Sequence, residues 1–100
     1  MTVTTNLDGT KLTVIAEGKL GTTDAPEFEK AVKDNIEGVT ELVFDFEKLV
    51  YMASAGLRVI LSSAKIMKKQ GSMKIIKVTP EVMEVFRFTG MADVMDIEAI

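Results

Sequence analysis

The 100-residue chain contains no cysteine, no histidine and no tryptophan, and it has only two prolines and six aromatic residues. Each absence closes off a kind of chemistry. Without cysteine there are no disulfides and no thiolate nucleophile or ligand. Without histidine, the commonest general base and metal ligand is missing. A serine nucleophile needs a neighbouring base, and the sequence around Ser54 offers none. Asp45, Glu47, Asp93 and Asp96 are scattered and read as solvated loop charges, not as a metal site. Gly18-Lys19-Leu20-Gly21-Thr22-Thr23 lacks the spacing of a phosphate-binding loop. The chain is therefore not expected to be an enzyme, and no cofactor or metal is expected. No apolar run approaches the ~20 residues that span a bilayer. Residues 1–6 lack the basic start and apolar middle of a signal peptide. The expected location is accordingly cytoplasmic, with no membrane partner. A net charge of −3 argues against direct contact with nucleic acid, whose phosphates select basic surfaces.

What is present is an ordinary globular balance, 47% apolar and 27% charged, in a chain long enough for one domain over residues 1–100. Residues 2–7 and 10–17 read as two strands, and Asp8-Gly9 between them suits a type I′ hairpin turn. Residues 18–23 read as a loop. Asp24, followed by Pro26 and Glu27, has the pattern of a helix N-cap with a capping box. Ala25, Phe28, Ala31, Val32, Asn35 and Ile36 mark one face of that helix, and Gly38 is placed to end it. Residues 40–46 form a central strand apolar enough to be covered on both faces. Residues 73–78 read as the next strand. Thr79-Pro80 opens a helix with Val82, Met83, Val85 and Phe86 inward, Thr89-Gly90 ends it, and residues 93–97 suit a short last strand. The order ββαβαβαβ predicts an α/β domain: a mixed, mostly parallel sheet of about four to five strands with helices packed on it.

The rest of the chain is organised around residues 49–69. Leu49-Val50-Tyr51-Met52 reads as a short apolar connection, Ala53-Ser54-Ala55-Gly56 as a small-residue stretch, and an amphipathic helix follows. Leu57, Ile60, Leu61, Ala64 and Met67 give it one buried face, while Arg58, Ser62, Lys65, Lys68 and Lys69 fall mostly on the other, which reads as a wet surface. The helix stops near Gly71. Ser54 thus stands where a helix opens. There its hydroxyl can cap the first turn, and a phosphate would also be well placed, because the first N–H groups lack partners and the helix dipole is positive.

Tyr51-Met52-Ala53-Ser54-Ala55-Gly56-Leu57-Arg58-Val59-Ile60-Leu61 resembles the signature of STAS domains, specifically the small bacterial anti-sigma factor antagonists. The resemblance extends to Gly18-Lys19-Leu20, to Asp24-Ala25-Pro26-Glu27-Phe28 and to Phe86, Thr89-Gly90-Met91, in the family's order. It implies a STAS fold and a phospho-switched binding module. In that cycle the unphosphorylated protein holds an anti-sigma factor that is also a serine kinase. The kinase phosphorylates the serine matching Ser54 and lets go, and a serine phosphatase resets the cycle. The expected partner surface comprises Ala53, Ser54, Ala55, Gly56 and Arg58, with Thr22, Thr23 and Asp24 beside them. Two positions depart from the family: Ala53 stands where some members carry an acid, and Gly21 where many carry an aspartate. The family's usual C-terminal helix is expected to be short or absent. The alternative is a constitutive STAS scaffold or transport-complex subunit in which Ser54 is only a cap.

Overall fold

The computed structural model describes residues 1–100. Its elements are β1 (Thr2–Asp8), β2 (Lys11–Leu20), α1 (Ala25–Lys33), β3 (Glu41–Asp45), β4 (Leu49–Met52), α2 (Ser54–Gln70), β5 (Ser72–Val78), α3 (Pro80–Phe88) and β6 (Ile97–Ala99). The sheet runs β1-β2-β3-β5-β6, with β4 added against the far end of β2. Only β1 is antiparallel to its neighbour. This is the expected mixed α/β sheet, with six strands where four to five were expected. The additional one is β4, which the sequence presents as a connection.

The crossovers from β2 to β3, β3 to β5 and β5 to β6 all step the same way across the sheet. Right-handed connections then place all three helices over one face. That face carries Leu12, Val14 and Ala16 of β2, Leu42 and Phe44 of β3 and Ile75 of β5, all fully buried. They pack with Phe28 and Val32 of α1, Ile60 and Met67 of α2, and Val82 and Phe86 of α3 in one core. Phe28, Phe44 and Phe46 form its aromatic centre, with ring centroids 5.6 to 6.4 Å apart. Side chains of opposite parity, such as Thr13, Ile15, Asp45, Lys74 and Ile76, are only half-buried. Helices therefore cover β3 on one face, not two as its apolar letters suggested; Val43 on the other face is sealed by its sheet neighbours.

Several boundaries differ from expectation for physical reasons. The hairpin closes between Asp8 and Lys11, so the two central residues are Gly9 and Thr10. Positive φ is confined to Gly9 (+62°), the pattern of a type II′ turn and not of type I′. Strand β2 continues through Gly18 to Leu20, where a loop was expected. Gly18 (φ +86°) and a register shift after it turn the strand away from β3 and toward β4. Helix α1 is preceded by a 3-10 turn, Thr22–Asp24, and Asp24 does not cap forward. Its carboxylate instead accepts from the Gly21 N–H at 2.8 Å. In α2 the buried side chains are Leu57, Val59, Ile60, Ser63 and Met67, whereas Leu61 is 42% exposed. Ser63 can be buried because its hydroxyl donates to the Val59 carbonyl at 2.7 Å. The end of α2 is pinned where Gln70 Nε2 donates to the carbonyls of Ile36 and Val39. The last strand begins at Ile97, after a second 3-10 turn at Met91–Asp93, later than expected. No helix is long and apolar enough to cross a membrane.

Candidate functional site

The start of α2 is held by the bent tail of β2. Gly18, Lys19 and Leu20 pair in parallel with Leu49, Tyr51 and Met52 of β4. The ladder ends with the Ala53 N–H donating to the Leu20 carbonyl at 2.8 Å. One residue later the chain is helical. Gly56 lies against this junction: a Cβ there would sit 2.8 Å from Leu20 Cδ2 and 2.9 Å from Met52 Cγ. The small residues of the stretch thus let α2 begin directly on the β2–β4 ladder.

Ala53, not Ser54, is the N-cap. Its backbone is extended (φ −78°, ψ 164°), and its carbonyl accepts from the N–H groups of Gly56 and Leu57. Ser54 is the first helical residue; it is exposed, and its hydroxyl caps nothing. The capping role read from the sequence is therefore not the one this side chain has. The N–H groups of Ser54 and Ala55 donate to no backbone carbonyl. The free hydroxyl thus stands at the end of a 17-residue helix, where unpaired donors and the dipole favour negative charge.

The structure brings the two predicted segments together. Thr22, Ala25, Pro26 and Glu29 face Ala55, Arg58 and Val59 across a shallow groove of about 290 Å³. Thr22 and Thr23 are exposed, and Asp24 is half-buried with its carboxylate engaged on Gly21. Ala53 and Gly56 are buried, so they shape the site and do not present side-chain surface. Arg58 is exposed, forms no ion pair, and lies four residues after Ser54, a spacing that puts both on one helical face. A Cβ at Gly21, where the resemblance leads one to expect an aspartate, would lie 3.4 Å from Asp24 Oδ2. The loop therefore still carries one carboxylate at that point, supplied by Asp24. Sequence reasoning missed Val50 and Tyr51, each half exposed on β4 immediately before the site. Their outward direction was hidden because the stretch was not recognised as a strand, although its four consecutive apolar letters were visible.

The site is thus an exposed serine at the start of a helix, beside the 22–24 turn, on a mixed α/β sheet covered by helices on one face. The STAS domain profile matches residues 2–99, and the chain belongs to that family. It is 30% identical over 93 residues to a candidate anti-sigma factor antagonist, BtrV, of Bordetella bronchiseptica, covering 91% of this chain and 79% of that one. It is also 30% identical over 83 residues to the anti-sigma-B factor antagonist of Bacillus subtilis, covering 82% of this chain and 76% of the relative. In fold it matches the anti-sigma factor antagonist SpoIIAA in its unphosphorylated form with a TM-score of 0.84 at 20% identity, over 96% of this chain and 87% of SpoIIAA. The phosphorylated form of SpoIIAA matches with a TM-score of 0.77 at 19% identity, over 96% of this chain and 90% of that one. At that identity the likeness is one of fold.

Proposed function

We propose that this STAS domain is an anti-sigma factor antagonist switched by phosphorylation of Ser54. The observation that carries the reading is the exposed, uncapped hydroxyl of Ser54 at the first position of α2, beside the 22–24 turn. A protein kinase active site can reach such a group without unfolding the domain. The partner is an anti-sigma factor with serine kinase activity, bound through Ser54, Ala55, Arg58, Thr22, Thr23 and the exposed side of β4. A serine phosphatase returns the modified protein to its binding form. The domain acts by binding and not by catalysis, in the cytoplasm where its partners work.

The switch follows from local electrostatics. Phosphoserine adds about −1.5 to −2 charge at neutral pH. Within the free domain that charge meets the positive end of α2, two unpaired N–H groups and the Arg58 guanidinium one turn on, so folding loses little. At a packed interface the same dianion must be desolvated, and its bulk has no room. Binding is therefore lost while the fold is kept.

The test is a titration of the purified anti-sigma kinase with the parent and three variants. Ser54→Ala is expected to bind like the parent, because only an exposed hydroxyl is removed. Ser54→Asp is expected to bind at least severalfold more weakly, and Arg58→Glu to weaken binding with little change in melting temperature, as surface changes usually do. Indifference to all three would place the interface elsewhere. The constitutive scaffold reading is favoured by the absence of acids at Ala53 and Gly21, although the Asp24 carboxylate reaches the Gly21 N–H. It predicts equal binding by Ser54→Ala and Ser54→Asp.

A further inference from the structure

The far half of α2 carries a second surface. α2 holds four of the twelve basic side chains of the protein and none of the fifteen acidic ones, which leaves eight basic against fifteen acidic elsewhere. Lys65 and Lys68 form no ion pair, although most other basic side chains do. Lys68 and Lys69 lie in the last turn, where the helix dipole favours cations, but Lys65 lies before it. Lys65 and Lys68 border a groove of about 460 Å³ between α2 and the segment leading into β6. Its apolar lining includes Leu61, Val94 and three methionines, Met67, Met73 and Met95, and one acid, Asp96, faces it beside the two lysines. Leu61 is 42% and Val94 78% exposed. Methionine is the side chain best able to adapt to an incoming apolar surface.

We infer that this groove receives an acidic amphipathic helix of a protein partner. Its apolar stripe lies over Met73 between Leu61 and Val94, and its carboxylates reach Lys65 and Lys68. The choice of occupant rests on charge complementarity. An apolar floor with two unpaired lysines on the α2 wall against a single acid, Asp96, on the other matches a helix with leucine on one side and glutamate on the edge that lies along α2. A second copy of this chain would bring mostly negative surface too, but its own α2 would bring four more cations to the same contact. At 1.5 Å rise per residue, Lys65 and Lys68 lie about 16 to 21 Å along α2 from Ser54. The groove is thus distinct from the surface proposed above.

The test uses the full chain and two fluorescein-labelled 18-residue peptides, one of leucine and glutamate in helical register and its leucine–lysine counterpart. Fluorescence anisotropy is expected to show saturable binding of the glutamate peptide that weakens with salt. Lys65→Glu combined with Lys68→Glu is expected to weaken it at least tenfold, and Ser54→Asp to leave it unchanged. Amide shifts on binding are expected at Leu61, Lys65, Met73 and residues 94–96. Equal binding of the lysine peptide, no saturable binding, or indifference to the lysine reversals would overturn the inference. So would a dimer in sedimentation equilibrium that Leu61→Asp abolishes, or preferential binding to phosphatidylserine vesicles over the glutamate peptide. Failure here leaves the Ser54 switch untouched, since that is read at the other end of α2.

Discussion

At the scale of single residues, Ser54 is one position past the cap, and this changes what its hydroxyl is for. A capping serine replaced by alanine costs about 0.5 to 2 kcal/mol. Because Ala53 holds the cap position and the Ser54 hydroxyl caps nothing, Ser54→Ala is expected to shift unfolding free energy by less than about 0.5 kcal/mol in urea titration. A loss near 2 kcal/mol would show that the hydroxyl supports the fold. The sequence placed the cap at Ser54, one residue late, because its letters do not separate Ala53 from Ser54. Both are small, and the distinction lies in the ψ angle set by the hydrogen bond from Ala53 to Leu20. The α2 stripe shows the same limit. Apolar letters pointed to Leu61, whereas the helix buries Val59 and Ser63, the latter made tolerable by its bond to the Val59 carbonyl. Ile60→Ala is therefore expected to cost about 2 to 5 kcal/mol. Leu61→Ala is expected to cost under about 1.5 kcal/mol, because so much of that side chain already faces water. Paired urea titrations decide between this register and the reverse.

At the scale of elements, both ends of α2 are fixed by close approach at a glycine. At Gly71 a Cβ would lie 1.9 Å from the Thr40 carbonyl oxygen, so the β5 backbone must move away from the start of β3 to admit one. Gly71→Ala is expected to cost about 3 kcal/mol or more. Gly56→Ala meets only side-chain atoms, Leu20 Cδ2 and Met52 Cγ and Sδ, and is expected to cost about 1 to 3 kcal/mol. Chemical denaturation of the two variants checks the ranking; a milder effect at Gly71 would contradict it. The glycines were visible in the sequence as element ends, but the atoms they make room for were not. Likewise β4 was legible only as four apolar letters, because a strand with just its two terminal residues buried shows no alternation. The bend that creates its partner edge resides in a single glycine, Gly18, whose positive φ no periodicity reveals.

For the whole molecule, the order of strands and helices was legible because each element carried a clear period and a turn residue at its end. The handedness of the connections then determined the layout. The meeting of the 22–24 turn with the start of α2 follows from that layout and could be anticipated only by resemblance, since the two segments are some thirty residues apart. The resulting domain is unevenly charged, with four basic and no acidic side chains in α2 and eight basic against fifteen acidic ones elsewhere. A dianion added at the start of α2 meets the helix N-terminus and Arg58, with the other three α2 cations too distant to matter, and modification is accordingly expected to act on binding and leave stability nearly unchanged.

The proposed Ser54 switch is tested most directly by phosphate mapping after incubation of the chain with the proposed anti-sigma kinase and ATP. A Ser54 switch gives a single added phosphate, located by tandem mass spectrometry on Ser54 and absent from Ser54→Ala, with the modified protein released from the kinase and still folded. Phosphate found only on Ser62 or Ser63, or a chain that binds the kinase and is never phosphorylated, would contradict it.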